Sequence, residues 1–280
     1  MIERAAAGAA AGLDFLTVGD QHSTPTPYFQ NTPMLGRLAA EWPDDPNRQI
    51  GCLFLLPLWH PVLAAEQIAT LASLHPGRFI IQTGAGRGEA RFAAMGRRLS
   101  RRGRDVEESV RLIRGLLDGE TMSSERFGLD GAQVAPAVAQ PPEWWFGGHS
   151  DAALDRAARL GGSLYLGPTS LSAAADAIER HRRACDRHGH EPERVVARID
   201  LLVADSNQEA DVIADAIVAG GYRGMSRDDI VAGDVDRVTE VVERYRPLGV
   251  TDVAIRQISA PRPVALRSVE LLGSVRAAVA

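Results

Sequence analysis

Residues Arg78-Phe-Ile-Ile-Gln-Thr-Gly-Ala-Gly-Arg-Gly-Glu89 decide how the chain is read. Phe79 to Ile81 form an apolar run short enough for a parallel strand covered on both faces. Gly84, Gly86 and Gly88 then remove side chains where the chain must turn or let a ligand reach the backbone. Arg87 stands among them as a cation able to pair with an anion. Parallel α/β folds place their active sites where the C-terminal end of a strand opens into such a loop.

On either side of this stretch the hydrophobic period alternates between strand and helix. Strands are expected at Leu13–Val18, Ile50–Leu56, Arg78–Thr83, Trp144–Phe146, Ser163–Leu166, Val195–Val203 and Val253–Ile258. Helices are expected at Pro33–Trp42, Pro61–Leu74, Val106–Leu117 and Asp151–Leu160, then at roughly 171–188, 207–219, 234–245 and 263–278. The third has Val106, Val110, Ile113 and Leu117 on one face. This βαβα order requires a parallel sheet with right-handed crossovers. The count favours a closed (β/α)8 barrel as a single domain over 1–280, with a longer region at about 204–247 between strands 7 and 8. A first strand is not recognisable, because the chain begins inside what reads as the helix that would follow it.

Composition narrows the chemistry. All 31 basic residues are arginine, so Schiff-base, pyridoxal phosphate and Walker-type phosphate-loop mechanisms, which need a lysine amine, are excluded. A formal charge of -5 without a dense basic block argues against general nucleic-acid binding. No apolar run is long enough to cross a bilayer. Ala5 to Ala11 lacks a basic flank and reads as a small-residue helix rather than a signal peptide. Cys52 and Cys185 cannot make a disulfide framework, so a reducing cytoplasm is the default expectation.

Three further blocks carry a family resemblance. They are Ala11-Gly-Leu-Asp-Phe-Leu-Thr-Val-Gly-Asp-Gln-His22, Leu56-Pro-Leu-Trp-His-Pro61 with Pro76-Gly77-Arg78, and Trp145-Phe-Gly-Gly-His-Ser150 followed by Ala157-Ala-Arg-Leu-Gly161. In this order they resemble the luciferase-like family of flavin (FMN)- or F420-dependent oxidoreductases and monooxygenases. The resemblance implies a TIM-like (β/α)8 barrel, a small-molecule substrate, a homo-oligomer and a reductase partner that supplies reduced cofactor. It implies neither a nucleic acid nor a membrane partner, and no metal.

The resemblance also assigns roles. Gly147, Gly148 and Ser150, between a strand and a helix N-terminus, would hold the phosphate of FMN or F420; free N–H groups and the helix dipole suit an anion there. Gly84, Gly86 and Arg87 would join them in binding cofactor, and Trp59 would wall its ring. His22 and Asp20, after a strand C-terminus, would be catalytic, since imidazole can exchange a proton near neutrality. Gln21 stands where relatives often have histidine. Arg91 stands where many have a glutamate, for which Glu89 would substitute as a catalytic residue. These departures keep a non-catalytic cofactor-binding relative in view. The span Cys52 to Leu56 is where the family's strand bulge and non-proline cis peptide would fall. The arginines at 97, 98, 101, 102 and 104 read as a solvated helix start or as a grip for the acidic tail of F420. His188 and His190 have ligand spacing, but lie in a helix-to-strand loop without supporting acids or cysteines.

Overall fold

The computed structural model describes residues 1–258 and 260–280. The chain divides into two compact bodies, one of Asp14–Gly147 and one that joins Met1–Leu13 to Gly148–Ala280. Helix α1 (Ile2–Ala10) opens the chain and belongs to the second body.

The first body runs β1 (Phe15–Val18), α2 (Asn31–Ala39), β2 (Gln49–Phe54), α3 (Pro61–Ala72), β3 (Ile80–Thr83), α4 (Glu89–Ala94), α5 (Arg102–Leu117), β4 (Met122–Ser124), β5 (Leu129–Ala132) and β6 (Glu143–Gly147). Strands β1, β2, β3 and β6 pair side by side, all parallel and in regular register. Every residue of β3 is buried, as the apolar run predicts for a strand covered on both faces. Gly51 is required by this pairing, since a Cβ there would lie 2.3 Å from the Ile80 carbonyl oxygen.

The second body continues with α6 (Asp151–Leu160), β7 (Ser163–Leu166), α7 (Leu171–His188), β8 (Val195–Val203), α8 (Asn207–Ala219), β9 (Ile230–Gly233), α9 (Val235–Glu243), β10 (Asp252–Gln257) and α10 (Arg262–Val279). Strand β8 pairs in parallel with β7, β9 and β10. Val195, Ala197, Ile199, Leu201 and Val203 enter one apolar cluster with residues of α7, α9 and α10. The alternate residues of β8 therefore belong to the opposite face.

Two expectations are corrected. All seven expected strands are present, and β9, between the helices expected at 207–219 and 234–245, adds an eighth parallel strand beside β8 that the sequence did not show. Its four residues, Ile-Val-Ala-Gly, sit between the acidic 3-10 turn Arg227–Asp229 and Asp234, the cap of α9, and so read as a connection. The antiparallel hairpin β4–β5 was missed because Met-Ser-Ser and Leu-Asp-Gly-Ala contain no apolar run. Second, β2 neither bulges nor contains a cis peptide at Cys52 to Leu56; among the described residues the cis bond lies at Ala135–Pro136. The strand instead stops at Phe54 and turns through a short 3-10 segment, Leu56–Leu58.

Candidate active site

The parallel strands of the first body end together at Val18, Phe54, Thr83 and Gly147. Loops leaving that edge carry Asp20, His22, Trp59 and the glycine run from Gly84.

Asp20 organises this edge. Its carboxylate is fully buried, and its Oδ2 accepts the Leu55 backbone N–H at 2.8 Å and the Trp59 indole N–H at 2.8 Å. The first bond draws Leu55 out of the β2 ladder and explains where that strand ends. His22 Nε2 lies 3.2 Å from Oδ2 and 3.0 Å from Oδ1. Only the longer contact is aligned as a hydrogen bond, and Oδ1 has no other partner among the described residues. The His22 and Trp59 rings meet edge-on at 5.4 Å, and Trp59 meets Phe54 in the same way at 5.2 Å. Asp20, His22 and Trp59 thus form one cluster, although 39 residues separate Asp20 from Trp59. Below them, burial and then the Asp20 charge push the Cys52 thiol well above its usual range, which removes it as a nucleophile.

The glycine loop answers first to local packing. A Cβ on Gly84 would touch Leu55 Cδ2 at 3.0 Å, and Gly86 combines φ +70 with a Phe92 ring carbon 3.2 Å from its would-be Cβ. Arg87 is exposed and makes no ion pair with a described residue. Its carbonyl accepts from Arg91 at 3.5 Å.

Glu89 is exposed and has no contact with the Asp20 cluster among the described hydrogen bonds. It lines an open groove of about 540 Å³ with Arg97, Arg98 and Ser100. Arg97 is anchored there, donating to the Trp59 carbonyl at 3.5 Å and lying over the Phe127 ring at 5.4 Å. Arg98, Arg101, Arg102 and Arg104 are exposed.

In the second body, Ser150 is the N-cap residue of α6, yet its hydroxyl does not cap the helix. Its carbonyl accepts from Ala153 and Leu154, and the hydroxyl stays uncommitted beside first-turn N–H groups that lack intrahelical partners. A Cβ on Gly148 would sit 2.4 Å from that of Ala153, so the backbone there passes too close to the helix for any side chain. Bare backbone, a free hydroxyl and a helix N-terminus fit the phosphate of a flavin or deazaflavin. Burial, then Arg180, lowers the pKa of the neighbouring His149.

His188 Nε2 meets Asp155 at 3.1 Å, and Gly189 ends α7 in the left-handed region. No group of three or more His, Cys, Asp or Glu side chains able to hold a metal ion occurs among the described residues. Sequence reasoning missed Glu143, fully buried at the start of β6, which accepts from Trp145 Nε1 at 2.6 Å and Gln49 Nε2 at 3.1 Å. Its place at the N-terminal ends of β2 and β6 makes it a scaffold acid.

The family model described as luciferase-like monooxygenase matches residues 1–253. An uncharacterized protein of Mycobacterium tuberculosis is 32% identical over 131 residues, 45% of this chain and 46% of that protein. The FMNH2-dependent dimethylsulfone monooxygenase of Pseudomonas fluorescens is 27% identical over 165 residues, 57% of this chain and 45% of that enzyme. The chain thus matches just under half the length of these curated relatives. Among solved structures, an F420-dependent secondary alcohol dehydrogenase bound to an F420-acetone adduct superposes with a TM-score of 0.83 at 17% identity, covering 100% of this chain and 94% of that one. The oxygenating constituent of 3,6-diketocamphane monooxygenase from Pseudomonas putida, bound to FMN, gives 0.77 at 19% identity, covering 100% and 92%. At such identities the likeness speaks to the fold, which agrees with the alternating parallel strands and helices of both bodies.

Proposed function

The chain belongs to the luciferase-like monooxygenase family, and we propose that it is an oxidoreductase using reduced FMN or F420 on a small organic substrate. The observation that carries this reading is the buried Asp20 carboxylate holding His22 and Trp59 at the C-terminal edge of parallel strands. The cofactor, when bound, supplies the hydride or, as a reduced flavin, activates oxygen. The protein binds, orients and shields it.

Within that reading His22 is the proton-handling residue. Asp20 accepts from Nε2–H and so fixes the ring, which leaves Nδ1 as the nitrogen that takes or gives a proton. Trp59, held by its indole N–H, presents an apolar wall that excludes water. Gly147, Gly148 and Ser150 hold the phosphate, and Gly84, Gly86 and Arg87 also contact cofactor. Glu89 is a weaker catalytic candidate, since it faces a groove with arginines. Two buried free cysteines support a cytoplasmic protein; a homo-oligomer supplied by a separate reductase completes the reading. The departure at Arg91 favours a second reading, a relative that binds the cofactor without turning it over.

Titration of the purified chain with FMN, reduced FMN and F420, followed by absorbance and fluorescence, tests both. Saturable binding of one cofactor is expected, together with turnover that His22→Gln reduces far more than it weakens binding. Binding without turnover across a substrate panel would leave the second reading. Failure to bind either cofactor would end both.

A further inference from the structure

On the face of β8 away from its apolar cluster, an arginine-rich group has no place in the reading above. Asp200 is fully buried there, with Arg198 Nε 3.0 Å from one carboxylate oxygen and the Tyr222 hydroxyl donating to the other at 3.0 Å. These two donors already satisfy the carboxylate. Yet the parallel register puts Arg256 of β10 directly beside Asp200, and Ala254, a minimal side chain, beside Arg198. Arg223 follows Tyr222 in the loop before β9 and lies within electrostatic range of Arg198, Asp200 and Arg256. It adopts φ +52, a left-handed conformation uncommon for a side chain of its size, between Gly221 and Gly224, which are also left-handed. Three guanidiniums thus gather around one carboxylate. Neither Arg223 nor Arg256 makes a hydrogen bond or ion pair with a described residue, so three guanidiniums share the single Asp200 carboxylate.

We infer that Arg198, Arg223 and Arg256, with Tyr222, form a binding site for the oxyanion of a small molecule, a carboxylate or a phosphoryl group. Planar, always-charged forks pair with such groups bidentately, and three of them against a single carboxylate repel one another. Partial burial, then Arg256 and Arg198, lower the Arg223 pKa, and Tyr222 and Asp200 offset only part of this. Burial and the Asp200 charge raise that of Tyr222, which keeps it a neutral hydroxyl donor. Asp200 acts as the positioning residue, anchoring Arg198 and Tyr222 so that the remaining guanidinium donors are presented together. No part of this depends on the identity of the redox cofactor, since neither His22 nor the Gly148 turn enters.

Isothermal titration of the full chain with inorganic phosphate and, separately, with malonate, at ionic strength fixed with chloride, tests the site. Saturable binding of at least one probe is expected, and the stronger arm identifies the group. Arg223→Gln and Arg256→Gln should each weaken it about tenfold or more, whereas Arg246→Gln, an exposed residue paired with Glu243, should leave it unchanged. Arg223→Gln lies in an exposed loop, so it stays informative if Arg256→Gln misfolds. Absence of saturable binding by both probes, or equal affinity in wild type and Arg223→Gln, would overturn the proposal. Loss of binding in Arg246→Gln equal to that in Arg223→Gln would overturn it as well.

Discussion

Asp20→Ala should destabilise the first body through stranded donors rather than through lost volume. The carboxylate is fully buried and takes two short bonds, from Leu55 N–H and Trp59 Nε1–H, both at 2.8 Å. A buried donor left unsatisfied costs about 1–3 kcal/mol, and both residues are half-buried, so water recovers part of that; the expected loss is about 2–4 kcal/mol. Asp20→Asn keeps one acceptor oxygen but loses the charge that strengthens the bonds, and should cost about 1 kcal/mol. All four tryptophans, Trp42, Trp59, Trp144 and Trp145, lie in Asp14–Gly147, so tryptophan fluorescence reads this body selectively during urea unfolding. Combining Asp20→Asn with Trp59→Phe in a double-mutant cycle isolates the indole bond, with a coupling of about 0.5–1.5 kcal/mol expected. A change below about 0.5 kcal/mol for Asp20→Ala, the range of neutral surface substitutions, would refute the hub. So would strict additivity in the cycle.

Gly148→Ala should lower the melting temperature through its collision with Ala153, and Ala153→Gly should restore part of the loss; no rescue would show that the close approach is not the cause. Gly86→Ala should cost about 1–3 kcal/mol, and Phe92→Ala should not rescue it, since the positive φ remains; a neutral Gly86→Ala in urea titration contradicts this. His181 is buried in α7, and burial lowers its pKa below the usual imidazole value. The unfolded chain therefore binds this proton more readily, so the stability is complete above about pH 6.5 and falls as pH drops towards the lowered folded value. His181→Gln should flatten, without abolishing, the decline of stability on acidification, since His149 shifts in the same direction; unchanged slopes in calorimetry would contradict it.

Long, periodic elements were legible from the chain alone. Helices α6, α7 and α8 and strands β7 and β8 lie where their apolar periods end, and Ser170 and Ser206 cap α7 and α8 through their side chains as serines do. Strand β9 was not legible because it sits between an acidic turn and a helix cap, and the β4–β5 hairpin because its strands contain no apolar run. The candidate site was legible at the level of loops: Asp20, His22, Trp59 and the glycines were placed at strand ends by pattern. Their connection was not. The Asp20–Trp59 bond spans two loops, and the Arg256–Asp200 adjacency depends on strand register, which no local signal carries. Glu89 shows the converse, a residue chosen by local alignment whose surroundings are arginines.

Helix α1 has a consequence for how the molecule is made. Its mate is the last helix: Glu3 pairs with Arg262, 259 residues later, and Gly273 is bare where a Cβ would come within 2.9 Å of the Ala11 carbonyl oxygen. On the ribosome, Asp14–Gly147 emerges with its strands contiguous and can fold as a unit. The opening helix must wait, its apolar side uncovered, until α10 clears the exit tunnel. The second body thus depends on a contact between two helices far apart in sequence, so a change that weakens the α1–α10 pairing acts on the assembly of that whole body.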